Sequence, residues 1–86
     1  MTTEVIHPVR VWPDETKDGK PRFDLIGKRT VTAFATWRCS TFDPLSASLW
    51  DQTAKAHGSL RVTWQSAGHD GRYRNLVSLD VNEVPA

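Results

Sequence analysis

The chain has 86 residues, 38% of them hydrophobic and 24% charged, with five Gly and five Pro. That length allows one small domain, in which about 60–65% of the unfolded surface can be buried, and excludes a large multi-substrate enzyme. A net charge of +1 and a mean hydropathy of −0.48 describe a globular chain rather than a disordered or collagen-like one.

Val5 to Trp12 opens the chain with a strand pattern in which Val9 and Val11 alternate with Arg10 and Trp12. Pro8 lies inside it and points to a sheet edge or a strand start, because proline donates nothing to a ladder. Residues 13–21, bounded by two prolines and holding Asp14, Asp18 and Gly19, read as a polar turn. Phe23–Ile26 and Thr30–Arg38 are the next two strands, hinged at Gly27. In the second, Val31, Ala33, Ala35 and Trp37 share the face that meets the core, while Phe34 stands alone on a threonine-rich face.

One helix is expected between Asp43 and His57. Asp43 supplies an N-cap acceptor and Pro44 suits the first helical position. Leu45, Leu49, Thr53 and Ala56 recur at helical spacing, with Trp50 and Ala54 widening the stripe. Gly58 is expected to give the left-handed stop, with His57 at the negative end of the dipole. Ser59–Gln65 then alternates Leu60, Val62 and Trp64 against Arg61, Thr63 and Gln65. A turn over residues 66–71 leads into Arg72–Val81, with Tyr73, Val77, Leu79 and Val81 on one face. These two strands form a hairpin, and residues 82–86 read as a frayed tail of the single domain 1–86.

Three strands, a helix and two more strands make an all-β chain with one helix, the layout of a small five-stranded Greek-key barrel of the OB-fold type. Thr36-Trp37-Arg38, Ala56-His57-Gly58-Ser59, Leu60-Arg61-Val62-Thr63-Trp64 and Asp70-Gly71-Arg72-Tyr73 resemble single-stranded DNA-binding proteins of the bacterial and phage type. In that family a helix ends in Gly-Ser, a strand runs into a tryptophan, and an Asp-Gly-Arg-Tyr turn follows. The likeness spans residues 36–81. It implies an OB-fold, a single-stranded DNA ligand, a role in DNA replication and self-association. The hairpin between Leu60 and Leu79 is shorter than is usual there, and the chain ends without the family's long linker and acidic tail. A minimal phage- or plasmid-like version, whose partners touch the barrel itself, is the expectation.

The residues support a nucleic-acid reading by a separate route. Single-strand binding needs cations along the backbone path and flat rings on which bases stack. Split along the chain, the charge is +4 over residues 17–38 and +2 over residues 61–74, with acidic stretches between. An ordinary mixed surface is the simpler reading unless these segments meet on one face. Arg10, Lys20, Arg22, Arg38, Arg61, Arg72 and Arg74 are the phosphate candidates. Trp12 and Phe34, on polar parity, are the favoured stacking platforms, with Trp64 a third. Trp37 and Trp50 read as core; Trp64 and Tyr73 suit either barrel packing or an exposed hairpin end.

No catalytic, metal or cofactor site is expected. His7, His57 and His69 lack ligand spacing, His69 reads as a turn residue, and Cys39 reads as a small core residue. A single cysteine excludes an intrachain disulfide and suits a reducing compartment. With no apolar run of about 20 residues and no signal-peptide pattern at the start, the expected location is cytoplasmic and away from membranes. The alternative function is a non-enzymatic protein-interaction module, such as a phage-encoded inhibitor or a small subunit of a larger assembly, since Trp, Tyr and Arg also anchor protein interfaces.

Overall fold

The computed structural model describes residues 1–68 and 70–83. Its elements are β1 (Thr2–Glu15), β2 (Pro21–Lys28), β3 (Trp37–Thr41), α1 (Pro44–Lys55), β4 (Ser59–Ala67) and β5 (Tyr73–Glu83). They form a closed barrel in the order β1-β2-β3-β5-β4, with β1 returning to β4. This is an OB-fold-like barrel with the helix between the third and fourth strands, as the element order implies. No helix among the described residues is long and apolar enough to cross a membrane.

β1 is long because it serves two partners. Thr2–Ile6 pair with β4, and His7–Glu15 pair with β2. The changeover carries a bulge: Pro8 faces Gly27 and Arg10 faces Ile26, leaving Val9 as the extra residue. Pro8 therefore sits at an interior bulge, and neither a strand start nor an open edge is needed to accommodate it. Gly27 lies within β2 and is no hinge. A Cβ there would come within 2.6 Å of Ile6 Cγ2 and 2.9 Å of the His7 carbonyl oxygen, so only glycine permits this close approach.

Ile6, Leu25, Trp37, Cys39, Ala47, Trp50, Leu60 and Val62 fill the barrel. Trp50 projects from α1 and stacks on Trp37 with ring centroids 6.1 Å apart. Its Nε1–H donates to the carbonyls of Arg10 and Ile26, each at 3.1 Å, which pins the helix beside the β1 bulge. The helix stripe is Ala47, Trp50 and Thr53, with Leu49 partly buried against it. Leu45, expected inside, is 78% exposed, because the face turned toward the barrel is centred on Trp50.

Asp43 caps the helix as expected, accepting from the Leu45 amide at 3.1 Å. The stop differs. His57, not Gly58, takes the left-handed conformation, with φ of 56°. The Gly58 amide bonds the Thr53 carbonyl and the His57 amide bonds the Ala54 carbonyl, a Schellman motif that places the left-handed residue one position before the glycine.

Three further expectations are corrected. The strand expected from Thr30 begins at Trp37: Gly27 pairs with Trp37, so residues 29–36 become the connecting loop. Ala33 and Ala35 offer that stretch little area to bury, and Arg29 is drawn to Glu4 at 2.8 Å. In β5, Val62 faces Leu79 but Trp64 faces Leu76, so Val77 bulges. Leu76 and Leu79 pack on the core, while Tyr73 and Val77 are exposed. Finally, Asn82 and Glu83 belong to β5, and Asn82 Nδ2 donates to Ser59 Oγ at 3.1 Å. Residues 84–86 of the expected tail, and the turn role of His69, lie outside the described residues.

Candidate functional site

Strand pairing places residues directly opposite one another on the same face of the sheet. Because Leu25 and Cys39 point into the barrel, their neighbours point out. On that outer face Arg10, Ile26 and Arg38 form one row, and Trp12, Asp24, Ser40 and Asn75 form the next. Asp14 and Arg22 follow. Ile26 is buried yet stands apart from the barrel core; it floors a cleft of about 120 Å³ walled by Trp12, Asp24 and Arg38.

A larger cavity of about 340 Å³ adjoins it through Asp24 and Arg38, bounded also by Arg22, Ser40, Arg72, Tyr73 and Arg74. Four arginines against one aspartate make this groove cationic. Two of them have carboxylate partners: Arg22 bonds Asp14 and Arg72 bonds Asp70, each at 2.6 Å. The Asp14 carboxyl is held below its ordinary range by the Glu15 amide and by Arg22. Tyr73, 64% exposed, comes off the β4–β5 turn, where Gly68 (φ of 90°) lets its ring approach the backbone; a Cβ at Gly68 would lie 2.6 Å from Tyr73 Cδ2.

Arg74 is fixed by a different means. Its guanidinium carbon lies 5.2 Å from the Trp37 ring centroid and 4.9 Å from that of Trp64, and Nη1 donates to the Arg38 carbonyl at 3.2 Å. Its Nε is buried with no hydrogen-bond partner. Such cation–π contacts contribute about 0.5–2 kcal/mol each. Glu4 holds the pair of rings beneath: Oε2 accepts from Trp64 Nε1 at 2.7 Å and from Trp37 Nε1 at 3.3 Å, and Oε1 accepts from Arg29. Burial pushes the Glu4 carboxyl up, but these hydrogen bonds and the Arg29 charge outweigh it and hold the group below its ordinary value.

The structure thus gathers Arg10, Trp12, Arg22, Arg38, Arg72 and Arg74 around one groove. Arg10 stacks on Trp12, 5.3 Å from the ring centroid, and Trp12 remains 55% exposed. Trp64 is half-buried, with Arg74 over its ring. Phe34 is fully exposed in the 29–36 loop, which lines a further cavity of about 150 Å³ that shares Arg74 with the groove. Lys20 is exposed in the β1–β2 turn, where its carbonyl accepts from the Thr16 amide. Arg61 is set apart on β4, facing Val5 and Asp80.

Asp24, Ser40 and Asn75 were not among the sequence candidates. The alternation Phe23, Asp24, Leu25 is a signal for Asp24; Ser40 was hidden because its strand begins later than the local pattern suggests. Cys39 is buried, and burial pushes its thiol up to about 12, so it stays protonated at neutral pH. Among the described residues no three His, Cys, Asp or Glu side chains are grouped to hold a metal ion. Comparison with protein-family models, curated proteins and solved structures gives no match to this chain.

Proposed function

We propose that the chain binds single-stranded nucleic acid, DNA in the first instance, with little overall sequence preference. The observation that carries this is the outer face of β1, β2 and β3. An exposed Trp12 stands there between a row holding Arg10 and Arg38 and a row holding Arg22. A ring on which a base can stack lies between cations that can meet phosphates, which is what a single-strand groove requires. The two basic segments, residues 17–38 and 61–74, meet across this groove through Arg22, Arg38, Arg72 and Arg74. The resemblance of residues 36–81 to single-stranded DNA-binding proteins points the same way, and with it to single strands exposed during replication in a phage or plasmid setting.

The test is a titration with an oligothymidine followed by tryptophan fluorescence. Neutralising three or four phosphates gives a log–log salt slope of about −2 to −3. Absence of both quenching and binding at low salt would exclude the proposal. A second reading, a protein-interaction module, is favoured by Phe42 and Leu45, both exposed at the start of α1 and outside the groove; it is the reading that survives a null titration.

A further inference from the structure

The geometry points to a guanine-reading position within the groove, built from Asp24 and Arg38 beside the Trp12 platform. This inference rests on the single-strand reading above and assigns the base chemistry of that site. The starting observation is a carboxylate where a phosphate groove is least served by one. Asp24 faces outward at the junction of the two cavities, and a negative charge there repels every passing phosphate. Arg22 offsets part of that charge but takes up none of its acceptors: Nε stands 4.0 Å from Asp24 Oδ1, an ion-pair distance beyond hydrogen-bond length, while Arg22 Nη2 bonds Asp14. Asp24 is thus left with acceptor capacity directed at the groove.

Its neighbours give that capacity a use. Asp24 pairs across the sheet with Trp12 on one side and Ser40 on the other, and shares the small cleft with Trp12 and Arg38 over the apolar floor of Ile26. A base entering that cleft lays its face on Trp12 and presents its edge to Asp24 and Arg38. Two oxygens of one carboxylate are best met by two adjacent donors. Guanine alone among the common bases offers them, as N1–H and N2–H, and its O6 beside them accepts from a guanidinium. Thymine and uracil place a single N–H between two carbonyls, which sets oxygen against carboxylate. Adenine and cytosine offer one amino group each on that edge. Asp24 and Arg38 therefore select guanine, and the other bases in the strand are held by stacking alone.

The test compares oligothymidines of about nine nucleotides, within the span of one such barrel, carrying dG, dC, dA, inosine or dT at the centre. The dG strand is expected to bind about fivefold or more tightly than the dT strand, the lower end of what a bidentate base contact gives. Inosine, which lacks the 2-amino group, is expected to lose most of that gain. Asp24→Asn, whose side chain keeps the shape without the charge, is expected to remove the dG preference and to bind all-dT strands more tightly. Equal affinity for the dG and dT strands overturns the inference on the unmodified protein, and so does a dG preference that persists in Asp24→Asn. If no strand binds at all, the single-strand reading itself falls, which is a different result from binding without preference.

Discussion

Glu4 Oε2 accepts a hydrogen bond from Trp64 Nε1 at 2.7 Å, diagonally across the β1–β4 ladder in which Glu4 faces Val62 and Thr2 faces Trp64. The same carboxylate takes Trp37 and Arg29, so one group orients both rings over which Arg74 lies. The position of a groove arginine is thereby set from the opposite end of the sequence.

Glu4→Gln tests this link. A charge-assisted hydrogen bond contributes about 1.5–3 kcal/mol, and an amide in place of the carboxylate keeps part of it, so a loss of about 1–2 kcal/mol is expected. For a domain of this size that lowers Tm by about 4–8 °C per kcal/mol. The pH dependence has a definite sign. The folded carboxyl titrates below its ordinary 4.5, so its contribution is complete above that value and is lost as pH falls through the folded value. The Tm difference between wild type and Glu4→Gln should be widest near neutrality and narrow below about pH 4.5. A constant difference down to pH 3 would show that the carboxylate charge is not what matters.

The contrast between Arg38 and Arg61 tests where the strand lies. Both are exposed, so Arg38→Ala and Arg61→Ala should each change stability by less than about 0.5 kcal/mol. Arg38 stands in the groove and Arg61 on β4 facing Val5 and Asp80. Arg38→Ala should weaken oligothymidine binding several-fold and reduce the magnitude of the salt slope by about 0.7, one phosphate's share. Arg61→Ala should leave both unchanged. Equal losses in the two variants would mean that binding follows overall charge and not this groove.

The parts of this fold that rest on local chemistry are readable along the chain. Asp43 and Pro44 announce the helix start, the turn ahead of Tyr73 announces the hairpin, and the element order leads to the barrel. What local pattern misses is set by distant partners. Gly27 pairing with Trp37 makes residues 29–36 a loop although their threonines and alternating pattern suit a strand. The bulges at Val9 and Val77 shift side chains between faces without any composition signal, since an extra residue is defined only against the partner strand. The groove was legible in part for the same reason. Trp12 and the arginines carry their chemistry in their residue type, whereas Asp24 and Ser40 acquire meaning only when β2 and β3 are placed in register.

Phe34→Ala separates binding from stability at the 29–36 loop. The ring is fully exposed and buries no area that truncation would forfeit, so stability should stay within about 0.5 kcal/mol of wild type. If the loop supplies a stacking platform at the end of the groove nearest Arg74, affinity should fall by about 1–3 kcal/mol. Unchanged affinity would confine the strand to the β1–β3 face, and a large drop in Tm would contradict the exposure of the ring.

Trp12→Phe asks which ring reports binding. Of the four tryptophans, Trp50 and Trp37 are buried and stacked on each other, and Trp64 is bonded to Glu4 with Arg74 over its ring. Trp12 is the exposed ring of the groove, 55% accessible with Arg10 over it at 5.3 Å. Fluorescence quenching by an oligothymidine should therefore be largely abolished in Trp12→Phe, while affinity, followed by anisotropy of a labelled strand, changes by less than about 1 kcal/mol because phenylalanine also stacks. Trp12→Ala should lose about 1–3 kcal/mol. Quenching that persists in Trp12→Phe would place the strand against Trp64 instead. Arg74 lies over that ring, so a base stacking on the covered face would displace it and open the groove at the Arg74 end.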